Sequence, residues 1–159
     1  MSGYDIRTVD LGAIVEFRTA LLDPSGTGLA DPRPGDEHPA ARHVAAFFDG
    51  VVVGSSSIHP QGMPGGFQMD AWRLAGVAVE FGHRGAGLGA LLVERCLEHA
   101  AESGAKAVWC QVPAGTYGFF QRLGFGRSGD PVDDPQQGPQ YLLVREVRPL
   151  RRSWALQDA

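Results

Sequence analysis

The segment Arg84-Gly85-Ala86-Gly87-Leu88-Gly89-Ala90 constrains this chain most, because its glycines sit where an extended pattern gives way to a helical one. Upstream, a strand pattern ends at Val79. Downstream, Leu88, Leu92, Val93, Cys96, Leu97 and Ala100 cover one side of a helix, and Glu94, Arg95, Glu98 and Glu102 cover the other, up to Gly104. The first turn of such a helix leaves backbone N–H groups unpaired, its dipole adds positive potential, and glycines let an anion approach the backbone. The pattern therefore predicts a pyrophosphate-sized anion site, or, for the loop taken alone, a simple strand-to-helix turn. It is not a P-loop, since Gly89-Ala90-Leu91 supplies neither the lysine nor the hydroxyl that a nucleotide phosphate and its magnesium require. A dinucleotide fold is disfavoured as well: the loop follows an antiparallel hairpin, and the next strand, Lys106 to Val112, ends without an acid.

The rest of the chain reads as one mixed domain. Tyr4 to Val9 suits a strand, Asp10 an N-cap, and Leu11, Ile14, Val15, Leu21 and Leu22 one side of a first helix. Asp23 to Arg42, rich in Gly, Pro and Asp, predicts a long loop suited to acceptor binding or to a lid. Strands His43 to Phe48 and Val51 to Ile58 flank Asp49-Gly50, a hairpin turn. A further strand is expected from about Phe67 to Val79, bulged near Gly76. Thr116 to Leu123 predicts a short helix stopped by Gly124, and Gln140 to Val147 a last strand. With 159 residues, 43% hydrophobic, the chain suffices for one domain over residues 1–150, leaving 151–159 as a C-terminal tail.

Charge and cysteine content remove several classes. The net charge is −4, and Lys106 is the only lysine among fourteen cationic side chains, so no basic stripe is available to a nucleic acid. No apolar run approaches the ~18 residues that span a bilayer, and the N-terminus lacks a basic start, which reads as a soluble cytoplasmic protein with no membrane partner. Cys96 and Cys110 lack neighbours at metal-ligand spacing, and His38, His43 and His59 lie in or beside loops rather than on one helix face, so no metal is expected.

Several motifs in order carry a resemblance. Arg84-x-x-Gly87-x-Gly89, preceded by Leu74-Ala75-Gly76-Val77-Ala78-Val79 and followed by Phe120-Gln121-Arg122-Leu123-Gly124-Phe125, resembles the GNAT superfamily of N-acetyltransferases over about 90 residues. The resemblance implies an α/β (α+β) fold with a splayed, mixed, mostly antiparallel sheet flanked by helices. It also implies acetyl-CoA as co-substrate, its pyrophosphate held by the amides of Gly85, Ala86, Gly87, Leu88, Gly89 and Ala90, with Arg84 opening the motif. The pantetheine arm would run beside Val77, Ala78 and Val79 as a strand-like ligand, and a backbone N–H near Val77 would polarise the thioester carbonyl.

The implied reaction is direct attack by a primary amine of a small-molecule acceptor on the thioester, giving an amide and CoA thiol. The chain departs from the family at Phe120, where many members carry a tyrosine as general acid. Tyr117, three residues earlier on the same helical side, is the phenol nearest the site and the candidate catalytic acid; as a structural residue it would complete an aromatic stripe with Phe120 and Leu123. Gln111, at the end of its strand, is expected at the opening as an acceptor or water ligand, or as a buried amide satisfied by backbone. Arg18, an arginine on an apolar helix side, is either a clamp for an acceptor carboxylate or half of an internal salt bridge. A GNAT-like acyl-CoA sensor that does not turn over is the alternative that Phe120 keeps open. The letters leave oligomeric state unset, a homodimer being compatible with them.

Overall fold

The computed structural model describes residues 3–23, 33–66, 70–135 and 137–147. The strands are β1 (Tyr4–Val9), β2 (Arg42–Phe48), β3 (Val51–Pro60), β4 (Ala71–Val79), β5 (Ala107–Pro113), β6 (Gly126–Arg127), β7 (Val132–Asp134) and β8 (Gly138–Glu146). The helices are α1 (Val15–Leu22), α2 (Leu88–Glu102) and α3 (Tyr117–Arg122). One sheet runs in the order β1-β2-β3-β4-β5-β8-β6, with β7 also on β8. Every pairing is antiparallel except β4 with β5, whose connection passes through α2. The expected mixed, mostly antiparallel sheet flanked by helices is the fold observed.

Local chemistry explains the principal elements. Asp49 (φ 50°) and Gly50 (φ 79°) turn the β2–β3 hairpin as that dipeptide favours. α2 buries Leu88, Leu92, Val93, Cys96, Leu97 and Ala100 against β2, β3 and β4, the side marked by its 3.6-residue period. It closes with Ala105 N–H on Ala100 O (2.9 Å) and Gly104 N–H on Ala101 O (3.1 Å), which satisfy the last carbonyls.

β3 passes through the middle of the sheet carrying Gly54-Ser55-Ser56-Ser57, and each serine is satisfied by a different element. Ser56 Oγ donates to Leu92 O of α2 (2.9 Å), Ser55 Oγ to Gly76 O of β4 (2.9 Å), and Ser57 Oγ bonds His43 Nδ1 of β2 (2.7 Å). The alternation assigns Ser56 to the face under α2, and Ser55 and Ser57 to the face under α1. That second face is polar: Arg18, Asp36, His43 and Ser57 are all buried and joined to one another.

The first helix differs from its expected form. Asp10 makes no side-chain cap, Leu11–Ala13 is a 3-10 turn, and α1 starts at Val15. Arg18 is its fully buried residue, with Ile14 buried at the N-cap, while Leu11, Val15, Leu21 and Leu22 are only half-buried. β6 and β7 are edge additions to β8 that no apolar pattern announced. The start of the expected strand at Phe67, part of the Asp23 to Arg42 loop (24–32) and the tail 151–159 lie outside the described residues.

Candidate active site

The sheet opens at its parallel pair. β4 and β5 are joined only through Ala71, Trp72 and Arg73 against Ala107, Val108 and Trp109. Beyond that point Leu74 to Val79 stay with β3, and Cys110 to Pro113 stay with β8, so the two strands diverge with unpaired backbone edges facing each other. Such a wedge can accept an extended ligand by main-chain hydrogen bonding.

On its β4 side the wedge is shaped by a bulge. Ser55 opposes Ala78 and Ser57 opposes Ala75, so two steps on β3 match three on β4, and the extra residue falls at Gly76-Val77. Gly76 has φ 65°, and a Cβ there would lie 2.8 Å from Arg18 Cδ, so both conformation and space demand glycine. The bulge expected near Gly76 is therefore present, and Val77, Ala78 and Val79 follow it along the open edge.

Arg18 packs over this bulge from the face under α1. It is fully buried, and its guanidinium forks onto Asp36, Nη2 to Oδ2 at 2.5 Å and Nη1 to Oδ1 at 3.3 Å. Of the two expectations for Arg18, the geometry is that of the internal pair: its carboxylate comes from Asp36 and it braces the bulge. Breaking such a buried pair by removing one partner costs about 3–5 kcal/mol.

At its far end β4 runs through a 3-10 turn (Phe81–His83), tied to β1 by Tyr4 Oη against His83 Nδ1 at 2.8 Å. Arg84 donates from Nε to Val79 O (3.0 Å) and spreads over the Phe81 ring, which fastens the loop to the strand end. Gly85 (φ 86°) and Gly87 (φ 79°) turn the chain into α2, with nothing within 4 Å of a Cβ built on either. Leu91 N–H on Gly87 O (3.2 Å) is the first bond of the helix ladder, which leaves the amides of Leu88, Gly89 and Ala90 for an outside partner. Gly89 has a different role: a Cβ there would be 3.1 Å from the Phe119 ring, so this glycine seats α3 on α2.

The remaining candidates divide between the two faces. Tyr117 opens α3, half-buried edge-on against Tyr141 (5.7 Å), and its hydroxyl bonds no described residue. Phe120 is 5% exposed and packs edge-on against Phe119 and Phe125 in the core, so the position expected to lack a phenol is sealed by aromatic packing. Gln111 lies on the face under α1 and is exposed, not the buried amide of the alternative expectation. The structure brings Gln111 to the mouth of the wedge and places Tyr117 and Tyr141 across the sheet from it.

Sequence reasoning missed Arg73 and Trp109, the last pair before the strands part. Trp109 is held by Nε1–H to Gln61 O (2.8 Å), and the Arg73 guanidinium lies 4.9 Å from its ring centroid. An arginine inside the otherwise apolar Ala71–Val79 strand was the available signal. Beside Arg73 on β3, His59 is buried with Nε2 on Gln61 Oε1 (2.8 Å), and burial lowers its pKa below the usual value. Burial pushes the Cys96 and Cys110 thiols up to about 12, which makes both inert. Among the described residues no cluster of His, Cys, Asp and Glu fits a metal ion, and no helix is long and apolar enough to cross a membrane.

A mostly antiparallel sheet that opens at a single parallel pair, with a bulge on one side and a glycine-rich helix start at the end, defines the acyltransferase class of folds. The family model for the acetyltransferase (GNAT) family matches residues 15–125, and the chain belongs to that family. It is 28% identical over 147 residues to an uncharacterized N-acetyltransferase, YitI, of Bacillus subtilis, covering 92% of this chain and 99% of that protein. Among solved structures, Escherichia coli ElaA superposes with a TM-score of 0.75 at 18% identity, over 90% of this chain and 99% of that one. A GNAT family acetyltransferase from Elizabethkingia anophelis with acetyl-CoA bound superposes with a TM-score of 0.67 at 15% identity, over 92% of this chain and 100% of that one.

Proposed function

We propose that this protein transfers an acetyl group from acetyl-CoA to a primary amine of a small-molecule acceptor by direct attack. The observation that carries the reading is the succession of three features along the chain: the apex at Arg73–Trp109, the bulged open edge of β4, and the free amides at the start of α2. In this reading Gly85, Ala86, Gly87, Leu88, Gly89 and Ala90 hold the pyrophosphate through backbone N–H groups, and Arg84 keeps the loop in shape. The pantetheine arm pairs with Val77, Ala78 and Val79 as an added strand. A β4 amide near Val77 is fixed before reaction and stabilises the negative charge that develops on the thioester oxygen.

The amine must arrive neutral and lose one proton, and the sulfur must leave. Tyr117 is the proposed acid for the thiolate. A thiol of pKa ~8.5 leaves without much help, so the loss of an acid slows turnover by about 10²–10⁴-fold rather than abolishing it. Tyr117→Phe is expected to lower kcat within that range while leaving CoA affinity unchanged, measured by thiol release and by calorimetry. Gln111, at the mouth, is proposed to bind the acceptor or a water that carries away its proton.

A second reading, an acyl-CoA sensor without turnover, is favoured by the packing of Phe120 against Phe119 and Phe125. Acetyl-CoA with a broad amine panel separates the two: acceptor-dependent thiol release supports the enzyme, and tight CoA binding without it supports the sensor. The cytoplasm as its location and a homodimer as its assembly belong to the same proposal.

A further inference from the structure

The apex of the wedge holds a cation that meets the Trp109 ring but no anion among the described residues. The Arg73 side chain makes no hydrogen bond or ion pair with any described residue, and its Nε is buried without a partner. Cys110 and His59 are its titratable neighbours and no carboxylate stands beside it among the described residues, while burial lowers the pKa of the guanidinium. By contrast Arg18, on the same face, is fully matched by Asp36. Arg73 is half-buried, and holding its Nε away from water without an acceptor is costly; this cost is borne at the closed end of the wedge, four residues along β4 from the Val77 amide.

The surroundings of Arg73 are built. Its guanidinium lies over Trp109, which is 2% exposed and anchored through Gln61 O. Register places Arg73, His59, Trp109 and Gln111 on one face, the face covered by α1 and the 33–41 segment. Further along that face Gln140 is 3% exposed with its Nε2 also unpartnered. Both orphaned groups are donors, so the ligand that completes the face is rich in acceptor oxygens.

We infer that the acceptor carries a carboxylate as well as its amine, and that Arg73, held on the Trp109 ring, binds that carboxylate and sets acceptor specificity. The inference rests on the acyl-transfer reading. CoA phosphates held at the start of α2 cannot be the anion: Val79 is six residue steps along β4 from Arg73, ~20 Å of extended chain, and that helix start lies beyond the far end. A planar fork suits a carboxylate, and a paired carboxylate-guanidinium contact both holds the acceptor and orients its amine. A carboxylate at the end of a longer acyl group is the other source of the same chemistry, and CoA without any acyl group removes it from the test.

The experiment is calorimetry on the full chain saturated with CoA, titrating a panel of amino acids, each against its own carboxamide. The expected result is at least tenfold tighter binding of an acid than of its amide. In Arg73→Gln that difference disappears, with amide binding, CoA affinity and thermal midpoint retained; in Arg73→Lys it is partly kept. Equal affinity for acid and amide across the panel, or a difference that persists in Arg73→Gln, overturns the inference. So does an Arg73→Gln effect confined to succinyl-CoA binding, which assigns the arginine to the donor. A wild-type chain with no affinity for CoA overturns the acyl-transfer reading and this inference with it, whereas CoA binding without acid preference overturns this inference alone.

Discussion

Two glycines two residues apart have opposite assignments. Gly87 has φ 79° with open space around it, so Gly87→Val forces a side chain into a strained conformation on the side where the anion would approach. The expected outcome is at least a tenfold loss of CoA affinity with a stability loss of about 1–2 kcal/mol. Gly89→Ala meets Phe119 at 3.1 Å, so its expected effect is a lower thermal midpoint with CoA affinity largely kept. Calorimetry and thermal melts on both variants check the assignment. His59 gives a pH signature of its own. Burial lowers its folded pKa below the unfolded value of ~6.5, so the unfolded chain binds the extra proton first. Its contribution to stability is complete above pH ~6.5 and is lost as pH falls through the window between the two pKa values. The His59→Gln variant should show a shallower fall of melting temperature between pH ~7.5 and ~5 than the wild type, checked by parallel melts.

The elements that position the site differ in how openly the letters announced them. Asp49-Gly50 marked the hairpin because that dipeptide suits positive φ, and α2 was marked by its buried period from Leu88 to Ala100. Gly76 marked the bulge because glycine interrupts a strand only for a reason. α1 departs from its expected form for a tertiary cause: its buried side is led by Arg18, whose partner Asp36 arrives from a separate loop that no helical wheel contains. β6 and β7, two and three residues long, carry no alternating pattern of their own and exist as strands through β8. The place of Arg73 depends on where β4 and β5 part, a non-local fact that its strand alone does not carry. The bulge makes the prediction at this scale. Gly76→Ala places a Cβ at φ 65° and 2.8 Å from Arg18 Cδ, so it should destabilise by about 1–3 kcal/mol and weaken acetyl-CoA binding through the distorted edge. Denaturant unfolding alongside calorimetry tests both effects.

At the scale of the molecule, the sheet has two working faces. α2 and α3 cover one with an apolar core that fixes the glycine-rich helix start. α1 and the 33–41 segment cover the other with the Arg18, Asp36, His43 and Ser57 network, leaving Arg73 at the apex of the wedge and Gln111 toward its mouth. The wedge connects the faces, so a donor laid along β4 would meet an acceptor on the polar side. The most direct measurement is titration of CoA into the wild-type chain and Gly87→Val, followed by the structure of the complex. One CoA per chain, its diphosphate on the amides of residues 85–90 and its arm along Val77 to Val79, with affinity reduced in the variant, is the predicted result. No measurable affinity, or CoA seated away from the opening between β4 and β5, would contradict it.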